Sequence, residues 1–123
     1  VLLVDAANVV GSRPDGWWRD RPGAARRLVE RLAAAADAGR LDPPIVVVLE
    51  GRARAGVDEG TAGAVQVVHA TGEGDDAMVA LAAAADGDVR LVTADRALAE
   101  RARAEGATVV GPRWLLERVD ADG

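Results

Sequence analysis

The stretch VLLVD, residues 1–5, runs four apolar residues into an acid. Four later runs repeat the apolar theme: IVVVLE (45–50), VQVVH (65–69), VRLVT (89–93) and ATVVG (107–111). All are rich in Val and nearly unbroken by polar residues. That is the pattern of parallel strands covered on both faces, because a half-exposed strand alternates instead. Helical segments lie between most of them. RPGAARRLVERLAAAADAG (21–39) has Pro22 near its first turn and Gly39 as a stop. Its Leu28, Val29 and Leu32 make an apolar face, against a polar one of Arg26, Arg27, Glu30 and Arg31. DDAMVALAAAADG (75–87) and DRALAERARAEG (95–106) each open on an acid and close on Gly, and PRWLLERV (112–119) opens on Pro112. Strands alternating with helices predict a three-layer α/β/α sandwich around a parallel sheet.

Two segments do not fit the alternation. Residues 6–21 form a long connection after the first strand, a length often associated with function. Residues 51–64, GRARAGVDEGTAGA, hold four glycines and scattered charge; a loop or a short helix is expected there. The tail DADG (120–123) is expected to fray, which leaves residues 1–119 as one domain.

Composition narrows the function classes. The chain of 123 residues has no Cys, so it has no disulfide framework and no thiolate metal site. No run approaches a membrane span and no signal peptide is visible, so a cytoplasmic protein without membrane contact is expected. The chain opens on Val1, and a residue or a short leader is expected to be missing ahead of it. All 15 basic residues are Arg, and Tyr and Phe are absent. The core must therefore be built from Val, Leu and Ala. A net charge of −5 argues against a broad electrostatic grip on nucleic acid, while leaving room for a local basic rim.

Ligands of an open parallel sheet bind beyond the carboxyl ends of its strands. Asp5 and Asn8 follow the first strand, Glu50 the second, Glu73, Asp75 and Asp76 the third, and Thr93 and Asp95 the fourth. Core packing asks for no such gathering of carboxylates. They repel one another, and the natural counter-charge is a hard divalent cation. Oxygen ligands without a His or Cys cluster point to Mg²⁺ or Mn²⁺ rather than zinc. Each acid also has a plainer role. Asp75, Asp76 and Asp95 sit at helix starts, where Asp caps or meets the dipole. Glu50 can pair with Arg52 or Arg54. Asp75 and Asp76 diverge by roughly 100° on a helix, and Asp76 is expected to be the inward ligand, with Asp75 a cap or second ligand. Asn8 can stabilise its own turn, and Thr93 can help cap the next helix. His69, the single histidine, is expected to be structural.

HATGEGDDAMV (69–79) carries a competing signal, because Gly72-x-Gly74-x-x-Ala77 fits a dinucleotide-binding loop. That loop belongs after the first strand, with an acid about 20 residues on; here the glycines follow the third strand, among acids. They are expected to turn the backbone sharply so that an acid reaches the cleft. A P-loop and a receiver domain both need lysine, which the chain lacks. A haloacid-dehalogenase-like site needs an acid where Ala7 stands.

VLLVDAANVVGSRPDGWWRDR, then GEGDDAMVALAAA, then VRLVTADRALAERARAEGATVVGPRWLL resembles the PIN-like superfamily of metal-dependent ribonucleases. The NYN branch, with its small bacterial YacP-like members, looks most similar. The strand ending in Asp-x-x-Asn (VDAAN) and the strand leading into Thr-x-Asp-Arg (VTADR) carry most of the resemblance, which leaves only 51–64 unmatched. It implies a five-stranded parallel sheet in the order 3-2-1-4-5. It also implies catalytic positions at Asp5, Asn8, Asp76 and Asp95, one or two Mg²⁺ or Mn²⁺ ions, and hydrolysis of RNA. Thr93 matches the small hydroxyl residue that often precedes the last acid. PIN relatives carrying a glutamate on an early helix differ from this chain, which offers only mid-helix Glu30 there. Glu50 is the candidate for that further carboxylate, and without it a catalytically weak or inactive RNA- or partner-binding module remains the alternative.

RPDGWWRDR (13–21) lies beside Asp5 and holds two of the three tryptophans. Trp17 and Trp18 are candidates to stack unpaired bases of single-stranded RNA, with Arg13, Arg19 and Arg21 meeting phosphates. The plainer alternative tucks one or both against the first helix. Arg96 is a candidate to meet a phosphate or pair with Asp76, and Trp114 to serve the core or an oligomer contact. A second copy of the chain or an inhibitor protein stays open as a partner.

Overall fold

The computed structural model describes residues 1–13 and 15–120. The elements run β1 (Leu2–Asp5), α1 (Ala6–Gly11), a 3₁₀ turn (Trp17–Arg19), α2 (Arg21–Asp37), β2 (Ile45–Leu49), a second 3₁₀ segment (Gly51–Gly56), β3 (Gly60–Ala62), β4 (Val65–His69), α3 (Gly74–Ala84), β5 (Arg90–Val92), α4 (Arg96–Ala104), β6 (Thr108–Val110) and α5 (Pro112–Val119). Of the tail expected to fray, Asp120 caps α5, and 121–123 lie outside the described residues. No helix among the described residues is long and apolar enough to cross a membrane.

The sheet has six strands in the order β3-β4-β2-β1-β5-β6. The five expected strands are all parallel and take the expected order, with β1 central between β2 and β5. The strand count needs correction. The glycine-rich segment supplies β3, a short edge strand antiparallel to β4. Within the connection expected over 6–21, residues 6–11 and 17–19 are helical: Asp5 caps α1 by accepting the Asn8 N–H, and Asp20 caps α2 by accepting the Gly23 N–H.

Side chains alternate across a strand, and each face of the sheet buries its own core. Leu2, Val4, Ile45, Val47 and Leu49 pack with Leu28, Val29 and Leu32 of α2 and Leu115 of α5. Leu3, Val46, Val48 and Leu91 pack with Met78 of α3 and Leu98 of α4. The apolar face expected of α2 is the buried one, and Arg26, Arg27, Glu30 and Arg31 are exposed. The same alternation fixes the site. Asp5, Glu50 and Thr93 share the parity of Leu3, Val48 and Leu91, so all three belong to the α3/α4 side of the sheet.

Leu32 has 0 % exposure at the centre of α2. Leu32→Ala is expected to lower unfolding free energy by about 2–5 kcal/mol, the cost of lost burial plus a cavity. Exposed Arg27→Ala is expected to stay within about 0.5 kcal/mol. Urea unfolding of both variants checks this, and equal midpoints would contradict the assignment of the α2 face.

Candidate active site

Asp5 ends the central strand with only 6 % of its surface exposed. An ionised group buried there needs donors. Its Oδ2 accepts from the Thr93 hydroxyl at 2.9 Å, and its Oδ1 accepts from the Asn8 N–H at 3.3 Å. Thr93 is buried too, and its Oγ in turn accepts the Asp95 N–H at 3.1 Å. Asp95 caps α4 by accepting the Leu98 N–H at 3.1 Å. Asn8 closes the circuit, because its Oδ1 accepts the Ala94 N–H at 2.8 Å. Two of the sequence-predicted motifs, Asp-x-x-Asn and Thr-x-Asp, are thus one hydrogen-bonded unit across β1 and β5. Among the described residues no buried side-chain polar atom lacks a partner.

The remaining carboxylates approach from β2 and α3. Glu50 accepts the Gly74 N–H at 2.5 Å and so caps α3, a role Glu73 leaves unfilled. It makes no ion pair with Arg52 or Arg54; Arg54 donates to the carbonyls of Gly51 and Ala70 instead. The turn glycines act differently from expectation. Neither Gly72 nor Gly74 has positive φ. What Gly74 provides is close approach, since a Cβ there would sit 2.9 Å from Glu50 Oε2.

The order expected for the adjacent acids is reversed. Asp76 points outward, with 78 % of its side chain exposed, and pairs with Arg101 of α4 at 2.9 Å. Asp75 is the half-buried one on the inward side. Its pKa is raised above the ordinary 3.8, first by desolvation, then by the charges of Asp95, Glu50 and Glu73, with Arg101 opposing. The pKa of Asp5 is raised as well. Desolvation is the main cause, the bonds from Thr93 and Asn8 hold it back, and the charges of Asp75 and Glu50 add to the rise. Asp5, Glu50, Asp75 and Asp95 therefore sit in one electrostatic field. They are close enough to repel, yet among the described residues no three acids or histidines converge closely enough to hold a metal ion as they stand.

Beside the acids runs a mostly apolar cleft of about 410 Å³, lined by Ala6, Ala7, Trp17, Arg21, Glu50 and Glu73 among others. Trp17 is half-buried on its wall, with the Arg21 guanidinium 5.4 Å from the ring centroid. Trp18 is 52 % exposed, meets Trp17 edge-to-face at 6.1 Å, and carries Arg19 at 5.8 Å. Arg96 is exposed next to Asp95 and does not pair with Asp76, whose partner is Arg101. Arg13 does not join the site: it pairs with Asp120 at the end of α5. His69 is structural, since its Nε2 bonds the Val57 carbonyl at 2.7 Å while its N–H donates to Glu59.

A scan against protein-family models and a search of curated proteins both give no match. Among solved structures the fold is similar to Rae1 (YacP) from Bacillus subtilis. The likeness has a TM-score of 0.79 at 21% identity, over 98% of this chain and 73% of that one. A crystal structure of a single-substitution mutant of Rae1 gives a TM-score of 0.73 at 21% identity, over 97% and 73% of the two chains. At that identity the likeness establishes the fold.

Both raised carboxylates bind a proton more tightly in the folded chain than in the unfolded one. The stability they contribute is full below the ordinary carboxylate range and is lost as pH rises through their raised values. Asp5→Asn removes the Asp5 part of that loss. The melting temperature of the variant relative to wild type is expected to climb as pH rises above the ordinary Asp range of about 4, in chelator. A difference that stays flat with pH would contradict the burial of a charged Asp5.

Proposed function

We propose that the protein hydrolyses RNA phosphodiester bonds at the acidic edge of the sheet with a divalent cation, Mg²⁺ or Mn²⁺. The observation that carries this reading is the shared field of Asp5, Glu50, Asp75 and Asp95, with Asp5 held in place by Thr93 and Asn8. The motifs that resemble the PIN-like NYN branch fall on this edge, and the fold likeness is to a YacP protein. The donor set suits a hard cation in its chemistry: carboxylate oxygens, with the raised pKa values of Asp5 and Asp75 being what a positive charge would relieve. Asp5, Asp75 and Asp95 are the residues that would hold it, with Glu50 as a further carboxylate. A bound cation supplies an acidified water and neutralises charge on the scissile phosphate.

The chain's own residues divide the remaining work. Thr93 and Asn8 are positioning residues that fix Asp5 and the start of α4. Glu50 fixes the start of α3, and with it Asp75. Trp17 and Arg21 line the adjoining cleft, with Trp18 against Trp17 and Arg19 over Trp18; there unpaired bases would stack and phosphates would meet guanidinium groups. Asp76 is proposed as a structural partner of Arg101, outside the reaction. One observation favours a second reading, a binding module with little or no catalysis: among the described residues no three carboxylates converge as they stand.

Single-stranded RNA incubated with purified protein and Mn²⁺ is expected to be cleaved, and chelator is expected to stop the cleavage. Asp5→Asn and Asp75→Asn are each expected to lower the rate by more than about 100-fold, the upper range for groups that only support a metal ligand. Asp76→Asn is expected to stay within a few-fold of wild type. Cleavage that survives Asp5→Asn and Asp75→Asn sinks the site. Mn²⁺ binding in calorimetry without any cleavage would favour the binding module.

A further inference from the structure

A second cleft, about 650 Å³, lies at the opposite end of the strands from the acids. Three guanidinium groups line it: Arg40 after α2, Arg90 at the start of β5, and Arg118 on α5. Two of them flank one aromatic ring. Arg118 lies 3.9 Å and Arg90 5.1 Å from the centroid of Trp114. Two of the three are held in fixed positions: Arg40 Nε donates to the Arg118 carbonyl at 2.9 Å, and Arg118 Nη1 donates to the Trp114 carbonyl at 2.8 Å. Among the described residues none of these three arginines forms a salt bridge. Asp42 and Asp88 stand exposed at the rim of the same cleft without pairing to them.

Such a cluster is costly for a fold to assemble without a ligand. Like charges close together repel, and the acidic side chains among the described residues offer partners that these arginines do not take. A guanidinium stacked on an indole keeps its in-plane N–H donors free to face outward, and that fork matches phosphate oxygens. Its flat cationic face also accepts a nucleobase. The cleft is within the size range of small-ligand sites.

We infer that this rear cleft is a second, metal-independent site for nucleic acid, taking the phosphodiester backbone of single-stranded RNA on Arg90, Arg118 and Arg40. The choice of RNA rests on the proposed function; the anion site itself needs neither the acids of the opposite edge nor a cation. The electrostatics agree with this division. A polyanion is repelled by the edge that carries Asp5, Asp75 and Asp95 until a cation is present, and finds its positive surface at the other end.

The test is equilibrium binding of a labelled single-stranded RNA oligonucleotide to the full chain in chelator, over a range of salt concentrations. Wild type and Asp5→Asn are expected to bind alike, which separates this site from the proposed reaction. Arg90→Gln is expected to weaken binding several-fold and to reduce the salt dependence by about 0.7 in log–log slope, the contribution of one phosphate contact on a single strand. Asp88→Asn, which removes a rim acid, is expected to tighten binding. Opposite effects of two single substitutions cannot arise from misfolding. No binding by wild type at low salt, an unchanged slope in Arg90→Gln, or effects of the same sign in both variants would overturn the inference. So would displacement of the RNA by polyglutamate as readily as by unlabelled RNA, which would assign the cleft to an acidic polypeptide.

Discussion

The burial of one carboxylate at the end of the central strand governs the rest of the site. An unsolvated carboxylate without donors costs several kcal/mol and would neutralise itself by taking a proton. A hydroxyl from Thr93 and an amide from Asn8 offset part of that cost for Asp5, and desolvation still raises its pKa. Those donors lie on β5's exit and in α1, so satisfying Asp5 fixes three pieces of chain at once. Thr93 then orients the Asp95 amide, and Asn8 holds the Ala94 amide. The start of α4 is thereby tied to the end of β1.

The alternation of side chains decides what joins them. Asp5, Glu50 and Thr93 share one parity and emerge on the side of the sheet covered by α3 and α4. Glu50 seats α3 through the Gly74 amide, an approach that a Cβ at position 74 would crowd at 2.9 Å. Asp75, at the second position of that helix, is delivered to the same field as Asp5 and Asp95. Hydrogen bonds hold the acids near each other and their charges push them apart. That balance is what a proton or a cation would shift, and it links the fold's most costly feature to the proposed chemistry.

Much of the sheet was legible because its strands are long enough in Val and Leu to leave no other reading, and the parallel order follows the expected one. The misses share a cause, which is dependence on contacts distant in sequence. A six-residue helix such as α1 is unstable by itself and exists because Asp5 caps it and Val9 is buried. Gly60–Ala62 carries no apolar pattern and becomes a strand only by pairing with β4. The choice between Asp75 and Asp76 depends on the rotational phase of α3, and adjacent residues differ by about 100°. That phase is set by Glu50 at one end and by Arg101 on the neighbouring helix, neither of which is readable from GEGDDAMV. Arg13 likewise looked like a phosphate contact until Asp120, over a hundred residues away, came beside it.

The most direct test of the central claim is a crystal structure of the protein grown or soaked with Mn²⁺, read by anomalous scattering at the metal edge. The account predicts an ion bound by Asp5, Asp75 and Asp95, with the Thr93–Asp5 hydrogen bond kept and Asp76 still on Arg101. An ion held by Asp76, or no anomalous peak at the acidic edge under Mn²⁺ concentrations that support cleavage, would contradict it.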